Sequence, residues 1–197
     1  MYIGDYLGRR AIYSPDKLAI VDAGKDPEWR LTYSQINERA NRLAHWLRDG
    51  AGVGKGDRVA IFARDGIEHL DSFFACSKLG AIHTALNWRS HWRELLGIVE
   101  NTRPKVLIYS KDFRESVSAL AAEIRHSPFA IQNYLHIEGT GITNSRHLET
   151  ALQASPDTPV TCESLQAEDT AALIFTGGTT GLPKAAMVSH RMIAWNT

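Results

Sequence analysis

The chain is poor in everything that would cross-link it or anchor it. Only two cysteines occur in 197 residues, Cys76 and Cys162, and they have neither metal-ligand nor redox spacing. That excludes a disulfide scaffold and points to buried thiols in a reducing cytoplasm. The eight histidines show no His-x-x-x-His arrangement, so a helical zinc site is not expected. Twenty-two basic residues balance 22 acidic ones, which removes any electrostatic case for nucleic acid or an anionic membrane surface. No apolar run is long enough to span a bilayer. The N-terminus carries Asp5 and no basic stretch leading into an apolar one, unlike a signal peptide. There is no repeat and no low-complexity tract. What remains is ordinary hydrophobicity, 44% by residue, enough for a sizeable core.

The segment that stands out is Phe175-Thr176-Gly177-Gly178-Thr179-Thr180-Gly181-Leu182-Pro183-Lys184. It follows the apolar run Ala171–Phe175 and precedes another, Ala185–Val188. A buried strand that runs out into glycines, hydroxyls and one lysine is suited to holding phosphate. Glycine lets backbone N–H groups converge on an anion, threonine adds neutral donors, and lysine adds a mobile charge. The order is not that of a Walker A loop, which places Gly-Lys-Ser/Thr at the mouth of a helix. Here the pattern predicts strand, loop, strand.

These residues resemble the phosphate-binding signature Thr-Ser-Gly-Thr-Thr-Gly-x-Pro-Lys-Gly of the AMP-forming adenylating enzymes. That superfamily includes acyl- and aryl-CoA synthetases and peptide-synthetase adenylation domains. Ser189-His190 fits the same pattern, while Gly177 stands where serine is usual and Ala185 where glycine is usual. Further matches are Leu31-Thr32-Tyr33, Gly56-Asp57-Arg58-Val59 and the opening through Ser14-Pro15-Asp16. The resemblance is weakest between about residues 113 and 162.

Read locally, Thr32 and Gln35 form a capping box for a helix with Ile36, Ala40, Leu43 and Leu47 on one face, stopping at Gly50. The glycines at 50, 52, 54 and 56 follow a helix and precede a strand, so they read as a turn rather than a dinucleotide fingerprint. Beyond Arg58, strands at 59–62, 81–85, 106–109, 134–137 and 171–175 alternate with helices at 67–79, from Ser90, from Asp112 and at 147–154. Ser90 is the predicted cap of the second helix, and Asp112 with Glu115 the capping box of the third. Residues 155–159 read as a loop. The alternation predicts an α/β fold, a largely parallel sheet with helices on both faces, with ligands at the carboxyl ends of the strands.

The resemblance implies the rest. The chain would be the N-terminal portion of a larger AMP-binding domain. Residues 1–53 would contribute to a neighbouring subdomain, 54–197 would form one α/β subdomain, and the small C-terminal domain would be absent. The parent enzyme would activate a small-molecule carboxylic acid with ATP and magnesium (Mg2+) and pass the acyl group to CoA. Thr176, Gly177, Gly178, Thr179, Thr180, Gly181 and Lys184 would bind the ATP phosphates, Lys184 acting catalytically. Arg89, in Asn87-Trp88-Arg89, resembles the arginine of the Asn-Pro-Arg turn of CoA ligases; it is read either as a CoA phosphate contact or as a solvated residue at a helix entrance. His190 reads as structural rather than as a general base. The chain alone is expected to be inactive. Two alternatives stay open: a carrier-protein-loading adenylation domain, and a non-catalytic nucleotide-binding module with a degenerate loop.

Overall fold

The computed structural model describes residues 3–176 and 184–196. After a short helix α1 (Gly8–Tyr13), strands β1 (Leu18–Asp22) and β2 (Trp29–Thr32) form an antiparallel two-stranded sheet of their own. Helix α2 (Tyr33–His45) starts at the predicted capping box. Thr32 Oγ1 accepts from Gln35 N at 3.3 Å and Gln35 Oε1 accepts from Thr32 N at 2.9 Å. It runs on through a wider turn, Trp46–Gly50. The left-handed residues that reverse the chain are Gly52 and Gly56, with φ of 63° and 81°, a conformation glycine adopts without a Cβ clash.

The remaining strands share one sheet: β3 (Arg58–Phe62), β4 (Ile82–Ala85), β5 (Val106–Tyr109), β6 (Asn133–His136), β7 (Ser145–His147), β8 (Thr170–Thr176) and β9 (Lys184–Ser189), in the order β7-β6-β5-β3-β4-β8-β9. Every neighbouring pair is parallel except β8 with β9, which is antiparallel. Helices α3 (Ile67–Leu79), α4 (Trp92–Thr102), α5 (Arg114–Ile124) and α6 (Leu148–Gln153) connect them, and α7 (His190–Trp195) follows β9.

Side chains alternate across a strand, and β3 feeds two cores. Val59 and Ile61 join Leu43, Leu47, Ala75 and Leu148 from α2, its extension, α3 and α6. Ala60 and Phe62 join Leu95, Val99, Val117 and Leu120 from α4 and α5. Both faces of the sheet are therefore covered, as the alternation predicts. Each such Leu or Ile contributes about 1.5–3 kcal/mol by leaving water. A third, smaller cluster sits under the β1–β2 hairpin, around Ile36, Ala40 and Ile67.

Helix α3 matches its predicted span, but its buried side includes polar groups. Asp71, Ser72, Ser77 and Lys78 are buried there, while Phe73 and Phe74 are only half-buried. The buried charges are paired. Arg39 of α2 forks onto Asp71 at 2.7 Å and reaches Glu149 of α6 at 2.5 Å, while its guanidinium lies 5.4 Å from the Trp29 ring. Lys78 meets Asp5 at 2.5 Å. The 155–159 segment is a loop, held by α2: Asn41 Nδ2 donates to Asp157 O at 2.8 Å and Arg42 Nη1 to Ser155 O at 2.6 Å.

Four sequence expectations need correcting. Ser90 is inside a turn closed by its own N–H onto Asn87 O, and His91 caps α4 instead, its Nδ1 accepting from Arg93 N at 3.3 Å. Asp112 does not cap α5. It lies in a tight 3-10 turn, Lys111–Phe113, and faces Arg64 at 3.6 Å, so α5 begins without a side-chain cap. Strands β2 and β7 were not foreseen. Cys76 is fully buried, its thiol pushed up to about 12 by desolvation, but Cys162 is only partly buried.

Candidate functional site

The carboxyl ends of the parallel strands lie along one edge of the sheet. Ile61 pairs with Ala85, Ala85 with Ile174, and Phe62 with Tyr109, so the segments that follow β3, β4, β5 and β8 leave on a common side. This edge is where an open α/β sheet gathers ligands.

Strand β8 delivers Thr176 to that edge. Opposite it, on the antiparallel partner, stands Lys184, and Thr176 Oγ1 donates to Lys184 O at 3.3 Å. Both side chains are exposed. The two ends of the Gly/Thr segment thus meet across one rung of the sheet, with the lysine at the start of β9. Gly177, Gly178, Thr179, Thr180 and Gly181 lie outside the described residues.

The neighbouring strand β4 ends in the turn carrying Asn87, Trp88 and Arg89. Asn87 Oδ1 accepts from Arg89 N at 3.0 Å and fixes the turn. Trp88 and Phe175 both pack on the α4–α5 side of the core. The Arg89 guanidinium lies 4.0 Å from the centre of the Trp88 ring, and Arg64, two residues beyond β3, lies 4.3 Å from it. Two cations stack on one indole, which the face of the ring favours electrostatically. Arg64 is steadied by Asp112, whereas no carboxylate among the described residues is within ion-pair distance of Arg89. No sequence signal marks Arg64, because its partner ring comes from another strand end.

His190 is far from solvent, at 1% exposure, and its Nδ1 is 2.8 Å from Tyr6 Oη. Burial lowers its basicity, and Nε2 has no hydrogen-bond partner among the described residues. It ties the N-terminal segment to the start of α7, whose cap is Ser189, Oγ accepting from Met192 N at 3.3 Å. Among the described residues no group of three or more His, Cys, Asp or Glu side chains is placed to hold a metal ion, and no magnesium ligand is assigned to the chain.

Residues 7–197 match the family described as AMP-binding enzyme. The chain belongs to that family. It is 34% identical over 194 residues to a feruloyl-CoA synthase of Amycolatopsis sp, covering 98% of this chain and 34% of the relative. Among AMP-binding enzymes of known structure, it resembles the anthranilate CoA ligase AuaEII in complex with anthranoyl-AMP, with a TM-score of 0.86, 25% identity and coverage of 97% of this chain and 35% of that one. It also resembles the inhibitor-bound N-terminal domain of FACL13 from Mycobacterium tuberculosis, with a TM-score of 0.81, 29% identity and coverage of 96% and 44%. The chain spans about a third of the length of the curated relatives it matches. No helix among the described residues is long and apolar enough to cross a membrane.

Proposed function

We propose that this chain forms the phosphate-facing part of a ligase that activates a small-molecule carboxylic acid with ATP, as an acyl-adenylate, and transfers the acyl group to CoA. The observation that carries the reading is the rung that sets Thr176 opposite Lys184 at the carboxyl edge of a parallel sheet. The names of the relatives support it.

In this reading the carboxylate attacks the α-phosphorus and pyrophosphate leaves. One anion approaches another, so the protein contributes mainly positioning and charge neutralisation. Thr176, Gly177, Gly178, Thr179, Thr180 and Gly181 hold the terminal phosphates. Lys184 compensates the charge of the departing pyrophosphate. Arg89, stacked on Trp88 and free of a carboxylate among the described residues, takes a phosphate of CoA. Magnesium, when bound, would lower the charge of the triphosphate. Residues 1–53 are shared with a neighbouring subdomain, and the cytoplasm supplies the substrates.

The test is ATP–pyrophosphate exchange, with a panel of fatty and aromatic acids, in an enzyme whose AMP-binding domain carries these residues. Lys184→Ala should slow exchange by about ten- to a thousand-fold, the loss typical of one transition-state charge contact. Exchange at the unmodified rate would remove Lys184 from the phosphate site.

A further inference from the structure

Trp88 stands where the Asn-Pro-Arg turn has proline, and its ring gathers two cations from two strand ends. The Arg89 Cζ lies 4.0 Å from the ring centre and the Arg64 Cζ 4.3 Å. The two guanidiniums are therefore no more than about 8 Å apart, within one Debye length at physiological salt, so their repulsion is not screened away. Each part has a firm base. Trp88 is half-buried against the α4–α5 side of the core, and Asn87 Oδ1 fixes the turn by accepting from Arg89 N at 3.0 Å. Asp112, which faces Arg64 at 3.6 Å, belongs to the 3-10 turn whose Phe113 packs on Phe62 with ring centres 4.4 Å apart. Among the described residues this is the one carboxylate within ion-pair distance of either arginine, and both arginines are exposed. The edge of the sheet thus presents two forks and one counter-charge.

We propose that Arg64 and Arg89 together clamp the 3′-phosphate of CoA, and that the clamp selects free CoA over a phosphopantetheine arm carried on a protein as the acyl acceptor. This rests on the CoA-ligase reading and adds Arg64 and Trp88 to it. A phosphomonoester carries about 1.5 to 2 negative charges at pH 7. CoA has one such group, on its ribose, whereas each phosphorus of its diphosphate carries a single charge. Two guanidiniums match a dianion, and their planar N–H forks take phosphate oxygens in pairs. The indole holds the like charges side by side and orients both forks, because its face attracts each of them. A phosphopantetheine arm is joined to its carrier through a phosphodiester and has no 3′-phosphate, so the second arginine adds nothing to its binding. Asp112 competes with the phosphate for Arg64.

Isothermal titration of the 197-residue chain with CoA, dephospho-CoA and inorganic phosphate tests the clamp. CoA should bind about tenfold more tightly than dephospho-CoA, the weight of one charge-assisted contact. Arg64→Gln should reduce that preference to about threefold or less and leave the affinity for dephospho-CoA in place. Its circular dichroism should equal that of the unmodified chain, since Arg64 is exposed. Trp88→Leu should have the same effect, and Trp88→Phe, which keeps a ring face, should restore part of the preference. Asp112→Asn should act in the other direction and tighten CoA about threefold, a gain that misfolding cannot produce. Equal affinity for CoA and dephospho-CoA would overturn the proposal. So would a preference indifferent to Arg64→Gln, inorganic phosphate binding as tightly as CoA, or no binding of CoA at millimolar concentration and low salt. Pyrophosphate exchange, in an enzyme whose AMP-binding domain carries these residues, uses no CoA and reads the ligase proposal separately. Exchange without the CoA preference sinks the clamp alone; the preference without exchange sinks the adenylating reading and leaves the clamp.

Discussion

A buried imidazole gives up its proton more readily than one in water, because the charged form loses its hydration. His83 on β4 is such a group. Desolvation, and then the nearby His69, bring it down to about 3, while its Nδ1 lies 3.1 Å from Ser72 Oγ. Its folded value is below its unfolded one, so the unfolded chain takes up the extra proton. The stability it supports is complete above about pH 6.5 and is lost as pH falls towards 3, by up to about 1.4 kcal/mol per pH unit. Asp71, raised to about 6 by burial against the pull of Arg39, acts in the opposite sense between about pH 6 and 4. The informative measurement is therefore a comparison: urea unfolding at pH 7 and pH 5 should show a smaller acid loss in His83→Gln than in the unmodified protein. An equal loss would mean His83 is protonated in the fold. A second residue prediction concerns Tyr6→Phe, which leaves His190 without a partner at either ring nitrogen among the described residues. It should cost about 1–3 kcal/mol, read as a lower midpoint of unfolding. At this scale the motif singles out Thr176 and Lys184, and the structure sets the two across one rung of β8 and β9. Arg64 and the Tyr6–His190 pair were not legible in the sequence, since each depends on residues brought together from distant segments.

Three helices are joined by one guanidinium. Arg39 on α2 holds Asp71 on α3 and Glu149 on α6, and the Asp71 side chain is 0% exposed. Replacing Arg39 by Met keeps the stem but strands a buried carboxylate, and should cost about 3–5 kcal/mol in chemical denaturation. Thr32→Ala, which removes one half of the capping box, should cost about 1 kcal/mol by the same measurement. If both variants lost the same amount, the buried pair would be no more important than a surface cap. Helix α2, with apolar residues at helical spacing, and strand β5, an unbroken apolar run, were legible without tertiary information. Strand β7 is Ser-Arg-His, with no apolar alternation, and forms because β6 offers a parallel edge. The start of α4 was misread by one residue because a histidine took the role usual for serine.

For the molecule as a whole, the expected result with ATP, magnesium and any acid is that the 197-residue chain forms no acyl-adenylate. It spans about a third of the length of its curated relatives, and among its described residues no group of three or more His, Cys, Asp or Glu side chains is placed to hold a metal ion. Pyrophosphate exchange by the chain alone would show that these 197 residues suffice for the chemistry and would overturn the expectation. The parallel α/β class was legible from alternation alone. The strand order was not, because sequence adjacency does not say on which side of β3 a later strand will settle: β4 takes one side and β5 the other. That order has a consequence in time. Ala85 on β4 is paired with Ile174 on β8, about 90 residues further along. At a synthesis rate of about 5–20 residues per second, β4 waits roughly 5–20 s on the ribosome with one edge unclaimed, and during that interval anything able to donate a strand competes for the place of β8.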